Sequence, residues 1–418
     1  MSLPKRLKPE QHRWLQSGPA MKLLELLNTE QKDSARFVGG CVRNALMGEP
    51  VADIDIATKL LPEQVVELLE AAGQRAVPTG IEHGTITAII DGTALEITTL
   101  RKDVQTDGRR AEVAFCQSWD EDSARRDFTF NAIYCDGAGQ LYDPQNGIAD
   151  AVNRQVLFVG EPESRIIEDG LRILRYFRFF ACYGSGRPER AAITACVRQK
   201  DSIKSLSAER IWKELKSLLS APDPVKAVRW MRTAEVLQNC FPGSRDVDQL
   251  MVLVASEKEM KWPVDPLLRF MSLLDPDKAR AASKKLKLSN AENSRVMAFA
   301  NNGPVVPGED FMDVSRRLYR KVVSGYVDAA KIALGKYEGR ERRDIDDMLD
   351  FAGEWERPVF PVTAKHLLDV GYKEGKELGD LLWNLEDEWI NSGFALSMDE
   401  LRAKIGNLGT GGKSGGQG

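Results

Sequence analysis

The sequence has 418 residues, of which 29% are charged, and its formal net charge is −4 at pH 7. At about 150 residues per domain this length predicts two to four domains, and the net charge argues against a protein coated in positive charge for bulk nucleic-acid binding. No apolar run approaches the roughly 20 residues that cross a bilayer, so the sequence predicts no membrane association.

The cysteines and histidines form no recognisable metal or disulfide pattern. The six cysteines include no CxxC pair, and the only histidines are His12, His83 and His366. We therefore expect neither a zinc site nor a disulfide framework, and we interpret each cysteine as a small buried hydrophobe. The basic N-terminal stretch lacks an apolar block and a cleavage site, which predicts a cytoplasmic protein.

Two regions differ in their hydrophobic pattern. Short β-branched runs alternate with helical segments up to about residue 158, and amphipathic segments alone follow from about residue 160. The predicted fold class is α+β, with a mixed α/β head followed by helices. The predicted parts are an N-terminal helical segment 1–34, a head 35–158, a helical neck 159–222, a helical body 223–302, a helical tail 303–405 and a flexible C-terminus 406–418.

The segment GGCVRNALMG follows the first predicted strand of the head. Gly39 and Gly40 let the backbone approach an anion closely, and the helix that follows offers N–H groups and the guanidinium of Arg43. These features favour phosphate binding. On its own, a glycine pair is more often a tight turn.

The segment VADIDIAT alternates polar and apolar residues, so a strand would place Asp53 and Asp55 on one face. Two neighbouring carboxylates repel each other unless a cation lies between them. Mg²⁺ prefers oxygen ligands and keeps positions open for phosphates. The alternative is a solvated edge strand. Glu96 in ALEITTL is a third candidate ligand, and an exposed strand position explains it equally well.

The segment RRDFTFNA, residues 125–132, alternates in the same way and is predicted to form a strand. One face would carry Asp127, Thr129 and Asn131, and the other Phe128 and Phe130. Arg126 and Asp127 at its start could contact a triphosphate and ribose hydroxyls. The competing interpretation is an edge strand with a surface ion pair.

The segment RIIEDGLRILRYFRFFACYG, residues 165–184, is predicted to form one amphipathic helix. Its apolar half carries Ile166, Ile167, Ile173, Leu174, Phe177 and Phe180. Its polar half carries Arg165, Glu168, Asp169, Arg172, Arg175 and Arg178, with Leu171, Tyr176 and Phe179 as exceptions. Four arginines without a lysine favour recognition of planar groups and phosphates over an ordinary solvated face.

Asp169 and Arg172 lie one predicted helical turn apart, so they would present a carboxylate acceptor beside a guanidinium donor. Cytosine and adenine each show an amino donor next to an unprotonated ring nitrogen, whereas uracil and guanine show a carbonyl next to an N–H. The pair therefore suits C and A and opposes U and G. Such a helix could select two nucleotides without a template.

Five motifs in order resemble the class II tRNA nucleotidyltransferase and bacterial poly(A) polymerase family, within the polymerase β superfamily. The resemblance covers roughly residues 35–215. The motifs are GGCVRNALMG with DIDIAT, RRDFTFNA, DPQNGIAD (143–150), EDGLRILRYFRFFACYG and SAERIWKEL (207–215).

The resemblance implies a polymerase β-like catalytic head and a set of site residues. It implies metal binding by Asp53 and Asp55, with Mg²⁺ as the cofactor. The nucleotide contacts that it implies are Gly39, Gly40, Arg43, Arg126 and Asp127 near the phosphates and ribose, Asp169 and Arg172 at the base, and Arg175 and Arg178 as supports. Glu209 and Arg210 would brace the neck helices.

The activity implied is template-independent addition of CCA to tRNA 3′ ends from CTP and ATP. The segment PTGIEHGTITAII, residues 78–90, is similar to the CCA-adding branch. The segment 99–127 resembles the family's flexible loop. It lacks the aromatic residue and the proline that often follow the first arginine of that loop. A poly(A) polymerase, or a CC-only or A-only tRNA nucleotidyltransferase, therefore remains the alternative.

Basic clusters in the helical region are candidates for gripping tRNA phosphates. They are SKKLK (283–287), SRRLYRK (315–321) and GRERR (339–343). Each is equally typical of a solvated helix face.

Overall fold

The computed structural model describes residues 3–16, 18–107 and 110–410. The chain forms two compact units. The first runs up to Pro242 and includes Lys285–Lys287, and the second comprises Gly243–Lys284 and the chain from Leu288 onward. No helix within the described ranges is both long and apolar enough to span a membrane.

The first unit contains all nine strands of the described chain. They are β1 Ala35–Val38, β2 Asp55–Thr58, β3 Arg75–Gly80, β4 Thr85–Ile90, β5 Thr93–Thr99, β6 Arg101–Asp107, β7 Arg110–Phe115, β8 Tyr134–Cys135 and β9 Leu141–Tyr142. Seven of them form one sheet in the order β3-β4-β5-β2-β1-β8-β9, and β6 pairs with β7 as a separate hairpin. Within the large sheet only β2 and β5 pair in parallel, and their register sets Asp55 opposite Glu96.

Helices surround the sheet and continue beyond it in the first unit. They are α1 Pro19–Leu27, α2 Gly40–Met47, α3 Pro62–Ala71, α4 Trp119–Ala124, α5 Gly147–Val152, α6 Pro162–Glu168, α7 Leu171–Tyr183, α8 Arg190–Gln199, α9 Ala208–Leu219, α10 Val225–Thr233 and α11 Leu237–Cys240. Side-chain caps begin two of them, because Ser118 accepts a hydrogen bond from the amide of Glu121 at α4 and Ser207 accepts one from Arg210 at α9.

Among the described residues of the second unit, the regular elements are helices joined by irregular segments. Its helices are α12 Asp248–Glu259, α13 Pro266–Ser272, α14 Ala279–Leu286, α15 Asn290–Asn302, α16 Phe311–Arg320, α17 Val323–Leu334, α18 Gly339–Glu354, α19 Ala364–Asp369, α20 Lys376–Asn391 and α21 Met398–Thr410. The last two residues of α14 are the exception, since they cluster with the first unit. The segment 411–418, predicted to be flexible, lies outside the described residues, while α21 covers the earlier part of that prediction.

The predicted strand over 125–132 is wrong. Phe128 forms only an isolated bridge with Phe158, and Thr129–Asn131 is a turn of 3₁₀ helix. Both faces of the expected alternation are buried or nearly so, because Phe128 and Phe130 enter an aromatic cluster with ring centroids 5.2 and 5.5 Å from Phe179. Burial here follows the aromatic cluster and not the pleat of a strand.

The single helix predicted over 165–184 is also wrong, because it is divided at Asp169 and Gly170. Asp169 has an extended backbone (φ −151°, ψ 106°) between α6 and α7. The division changes the helical phase, so Ile167 is 63% exposed although the wheel predicted burial, and Leu171, Tyr176 and Phe179 are all buried. A side chain at position 170 would meet Ser202, whose Oγ would lie 2.5 Å from a Cβ there.

The six cysteines are free thiols, and all except Cys182 are buried. Burial raises the pKa of the Cys41 thiol to about 12, so this residue stays protonated at neutral pH. Five of the six cysteines are thus buried, as the sequence predicted, and Cys182 is only partly buried.

Candidate active site

The turn after β1 has the geometry expected of an anion-binding turn. Gly39 has φ 72°, which glycine adopts without strain, and it precedes the first turn of α2. The amide of Gly39 donates to the carbonyl of Ile133, and the carbonyl of Gly39 accepts from the amide of Arg43. Gly40 opens α2, so its amide lies at the positive end of that helix.

The two aspartates differ in their backbone position. Asp55 begins β2 and is partly buried, whereas Asp53 lies in the irregular segment before the strand and is exposed. The sequence placed both on one strand, and only Asp55 lies in one. Burial raises the pKa of Asp55, and the negative charges of Glu96 and Asp53 raise it further, while Arg126 and Arg43 oppose this.

The two aspartates and Glu96 supply only carboxylate oxygens, which are hard ligands. Mg²⁺ commonly takes one or two protein carboxylates and completes its shell with water and substrate phosphates, so this chemistry fits that ion. In the part of the chain that the structure describes, no three or more His, Cys, Asp or Glu side chains form a group that could hold a metal ion.

Arg43 is held by side chains on several sides and is 7% exposed. Its Nη1 donates to Asn131 Oδ1, its Nη2 to Tyr183 Oη at 2.9 Å, and both Nε and Nη2 donate to Asn44 Oδ1. Burial lowers the pKa of this guanidinium, and the interaction with Tyr183 opposes the shift. Arg43 therefore lies behind the glycine turn and ties α2 to the end of α7.

Arg126 is anchored along one edge by Asp122. Its Nε and Nη2 donate to Asp122 Oδ2 at 3.1 and 2.9 Å, and its Nε also lies 3.2 Å from Tyr134 Oη. Burial raises the pKa of Asp122, but Arg126, Arg125 and Tyr134 lower it overall to about 2. A Cβ on Gly39 would lie 3.8 Å from Arg126 Nη1, so the opposite edge of this guanidinium faces the glycine turn.

Asn131 connects three of the predicted site residues. Its Oδ1 accepts from Arg43, its Nδ2 donates to Asp127 Oδ1 at 3.0 Å, and its carbonyl lies 3.5 Å from Arg126 Nη1. The other carboxylate oxygen of Asp127 accepts from Arg175 Nε at 2.6 Å. Burial raises the pKa of Asp127, but Arg175 and Asn131 outweigh this and lower it.

Glu214 on α9 binds the two supporting arginines of α7. Its Oε2 accepts from Arg178 Nε at 2.5 Å, and its Oε1 lies 3.9 Å from Arg175 Nη1. Glu214 is 7% exposed, so this carboxylate is buried between the guanidiniums. Arg178 also lies over the ring of Phe179, 4.0 Å from its centroid. A continuous polar chain thus runs from Arg43 through Asn131, Asp127, Arg175 and Glu214 to Arg178.

The side chains of Asp169 and Arg172 bind other groups and not each other, although the amide of Arg172 donates to the carbonyl of Asp169. Asp169 Oδ1 accepts from the amide of Leu171 at 3.0 Å, and Oδ2 accepts from Arg210 Nη2 at 2.7 Å. Arg172 donates to Glu168 and, at 2.8 Å, to the carbonyl of Arg165. The structure thus places both predicted base-reading residues at the division between α6 and α7, each with a partner of opposite charge.

Cations of two predicted tRNA-gripping clusters have partners within the second unit. Arg316, Arg317 and Arg320 bind Asp313, Glu309 and Asp387 in that order, Lys321 donates to the carbonyls of Asn301 and Asn302, and Arg342 binds Glu259. In the third cluster, Lys287 binds Glu209, which lies next to Arg210. In the structure these side chains therefore form contacts within the protein.

Four side chains that bind predicted site residues were not predicted from the sequence: Asp122, Glu168, Glu214 and Tyr183. Asp122 and Glu168 had a detectable signal, since each lies four residues before an arginine of the site on or beside a helix. Glu214 and Tyr183 had no local signal, because their partners lie 36 and 140 residues away.

Known proteins are similar to this chain both over the head and over nearly its full length. A family model described as the poly A polymerase head domain matches residues 35–157, and one described as a probable RNA- and SrmB-binding site of polymerase A matches residues 188–246. The human protein named CCA tRNA nucleotidyltransferase 1, mitochondrial, is 34% identical over 410 residues, which is 92% of this chain and 89% of the human one. The mouse protein of the same name is 32% identical with the same coverage of both chains.

Bacterial relatives and solved structures agree with these matches. The CCA-adding enzyme of Streptococcus pyogenes is 41% identical over 228 residues, covering 54% of this chain and 55% of its own. The crystal structure of the Bacillus stearothermophilus CCA-adding enzyme with CTP shares the fold with a TM-score of 0.73 at 24% identity, covering 94% of this chain and 97% of its own. The Thermotoga maritima CCA-adding enzyme complexed with tRNA gives a TM-score of 0.67 at 18% identity, covering 98% of this chain and all of its own.

Proposed function

The chain belongs to the CCA tRNA nucleotidyltransferase family, and on that premise we propose that it adds CCA stepwise to tRNA 3′ ends from CTP and ATP and releases pyrophosphate. One observation at the site supports this most directly. Arg126 is a neighbour of both the glycine turn and the acidic pair, because its Nη1 would lie 3.8 Å from a Cβ on Gly39 and its charge acts on Asp55. A phosphate site beside a metal site is what nucleotidyl transfer requires.

Asp53 and Asp55 are the residues proposed to hold Mg²⁺. When bound there, the ion supplies activation of the 3′-hydroxyl and charge stabilisation of the pyrophosphate leaving group. The protein's part is to hold the two carboxylates at neighbouring positions, and the pKa of Asp55 is raised chiefly by its burial, with the charges of Glu96 and Asp53 adding to the shift. No protein nucleophile is required, since the RNA hydroxyl attacks the α-phosphorus directly.

The triphosphate is proposed to lie against the turn that contains Gly39 and Gly40. The amide of Gly40, at the start of α2, and the Nη1 edge of Arg126, beside Gly39, are proposed as donors to it. Asp127 is proposed to contact the ribose, and Arg43 to act from behind the turn. Because the Arg43 guanidinium makes four donor contacts to protein oxygens, its contribution to phosphate binding is chiefly its charge.

Asp169 and Arg172 are proposed to select the base, with Arg175 and Arg178 supporting the nucleotide from α7. An acceptor and a donor side by side match the amino group and ring nitrogen of cytosine and adenine. To read a base, Asp169 must exchange Arg210, and Arg172 must exchange Glu168, for the nucleotide. The division of the helix at Gly170 provides a joint at which this exchange can occur.

A product-sizing assay tests the function and separates the alternatives. A tRNA that ends at the discriminator base is incubated with CTP, ATP or both, and the labelled products are resolved to single nucleotides. We expect two added residues with CTP alone and three with both. A long adenosine tract would identify a poly(A) polymerase. A stop after two residues when both nucleotides are present would identify a CC-only enzyme, and addition of A to tRNA-CC without addition of C would identify an A-only enzyme.

The partners proposed for the chain are tRNA, CTP and ATP. The location proposed from the sequence is cytoplasmic, and the vertebrate relatives carry "mitochondrial" in their names. Subcellular fractionation of the native protein distinguishes the two compartments.

A further inference from the structure

Asp122 is a buried carboxylate that lies outside the five motifs on which the family resemblance depends. It lies on α4 and is 1% exposed. Its Oδ2 accepts from Arg126 and from Tyr134 Oη, the latter at 2.7 Å. Its Oδ1 accepts from Arg125 Nε at 2.8 Å. A carboxylate so far from solvent is retained at a cost in desolvation, which these hydrogen bonds offset.

The contact with Arg126 is directional. Asp122 binds the Nε and Nη2 edge of that guanidinium, and this leaves Nη1 as the edge that faces Gly39. Both nitrogens of that edge share one acceptor, Oδ2, while Oδ1 binds Arg125, so the contact fixes which edge of the guanidinium faces Asp122. Asp122 thereby determines which edge of Arg126 is presented at the glycine turn.

The same carboxylate also touches the root of the β6–β7 hairpin. The backbone amide of Arg101, the first residue of β6, lies 3.3 Å from Asp122 Oδ1. The root is closed beside it, because the amide of Cys116 donates to the carbonyl of Leu100 at 2.9 Å. Asp122 thus connects the base of the hairpin and the phosphate-facing arginine through one side chain.

We propose that Asp122 is a positioning residue for the nucleoside triphosphate: it holds Arg126 so that the Nη1 edge meets the phosphates, and it ties that edge to the hairpin root. This inference rests on the proposed function. Asp122 itself touches no substrate, and its effect passes through Arg126.

The test is the Asp122→Asn variant of the full chain, compared with wild type and with Asp120→Asn. Asp120 lies on the same helix, is exposed and binds Tyr142 Oη, so it controls for loss of a carboxylate on α4. We expect Asp122→Asn to raise KM for CTP and ATP about tenfold or more and to weaken inhibition by pyrophosphate similarly. KM for tRNA should stay within about twofold, and kcat should change less than KM.

A double-mutant comparison establishes whether the effect passes through Arg126. In an Arg126→Ala background, adding Asp122→Asn should change KM for CTP by less than about twofold. Additive effects, an unchanged KM in Asp122→Asn, or equal losses in KM for CTP and tRNA would each overturn the proposal. Circular dichroism and melting temperature verify that the variants fold, and Asp122→Glu, which keeps the charge, should restore part of the affinity.

These measurements distinguish failure of the proposed function from failure of the positioning role of Asp122. If wild type does not extend tRNA with CTP and ATP, the proposed function is wrong. If wild type extends tRNA and Asp122→Asn has wild-type kinetic constants, only the positioning role is wrong.

Discussion

Asp169 is bound by Arg210, 41 residues further along the chain, at 2.7 Å. The bond is possible because Asp169 lies outside both α6 and α7, with an extended backbone that turns its carboxylate toward α9. Arg172, its expected partner, binds Glu168. The base selection proposed for these two residues therefore requires an exchange of partners between α6 and α7 and not a preformed pair on one helix.

Asp169→Ala should erode the selectivity for CTP and ATP, because the acceptor for the base amino group is removed. One lost hydrogen bond to a charged group corresponds to about 1.5–3 kcal/mol, so discrimination against UTP should fall about tenfold or more. Competition between CTP and UTP on the same tRNA measures this. Arg198→Ala, a surface arginine on α8 bonded to Glu163, is the control. Unchanged discrimination against UTP would show that the base is read elsewhere.

Asp53→Ala should abolish nucleotide incorporation while tRNA binding persists. The variant loses one proposed Mg²⁺ ligand, and metal stabilisation of a transferred phosphoryl group is worth several kcal/mol. We expect a rate at least about 10³-fold lower in a labelled-nucleotide assay, and an unchanged gel shift with tRNA. Asp91→Ala, which removes a surface carboxylate bound to Lys22, should retain full activity. Activity of Asp53→Ala in Mg²⁺ would remove Asp53 from the metal site.

Asn131→Ala should both destabilise the first unit and weaken nucleotide binding. The side chain is 7% exposed and serves Arg43 and Asp127 at once, so its removal leaves two buried charged groups short of a partner. We expect a loss of about 1–3 kcal/mol in the free energy of unfolding, measured with urea. Asn44→Ala removes a contact of Arg43 and a hydrogen bond to the carbonyl of Pro50, but no contact of Asp127. An equal KM for CTP in the two variants would contradict a role for the Asp127 contact.

Acid should destabilise the first unit in a way that depends on Asp122. The folded pKa of about 2 lies below the value near 3.9 of an unfolded aspartate, so the stabilisation is fully present above pH 4 and is lost as the pH falls toward 2. The linked free energy is about 2 kcal/mol. Urea unfolding between pH 5 and pH 2.5 measures it. Asp122→Asn should show a shallower loss over this range, and an identical pH dependence would contradict the assignment.

The sequence predicted the fold class, a mixed α/β head followed by helices, because that depends on local periodicity and residue type. The glycine turn at Gly39 and the strand that begins at Asp55 follow from such local signals. The strand over 125–132 was predicted wrongly, because alternation of phenylalanines reports burial without reporting what buries them. Phe128 and Phe130 meet α7, which lies about 50 residues away.

The pairing of charged residues was harder to predict from the sequence. The wheel over 165–184 assumed a constant helical phase, and one glycine packed against Ser202 interrupts it. Which carboxylate binds which arginine depends on helices brought together by the tertiary fold, as the Glu214 contact with Arg178 illustrates. Residue identity indicated the chemistry of the site, while its connections depended on packing.

The polar chain between α2 and α9 has a consequence for stability. It contains three guanidiniums, of Arg43, Arg175 and Arg178, and two carboxylates, of Asp127 and Glu214. The polar chain alone therefore carries one net positive charge, and the carboxylates of Asp55 and Asp169 also act on its arginines. A phosphate group at the glycine turn, as proposed, would be a further counter-ion of the fold as well as a substrate. Pyrophosphate at 100 times its Kd should increase the free energy of unfolding by about 2.7 kcal/mol, so the enzyme should resist heat better when it holds the product of its own reaction.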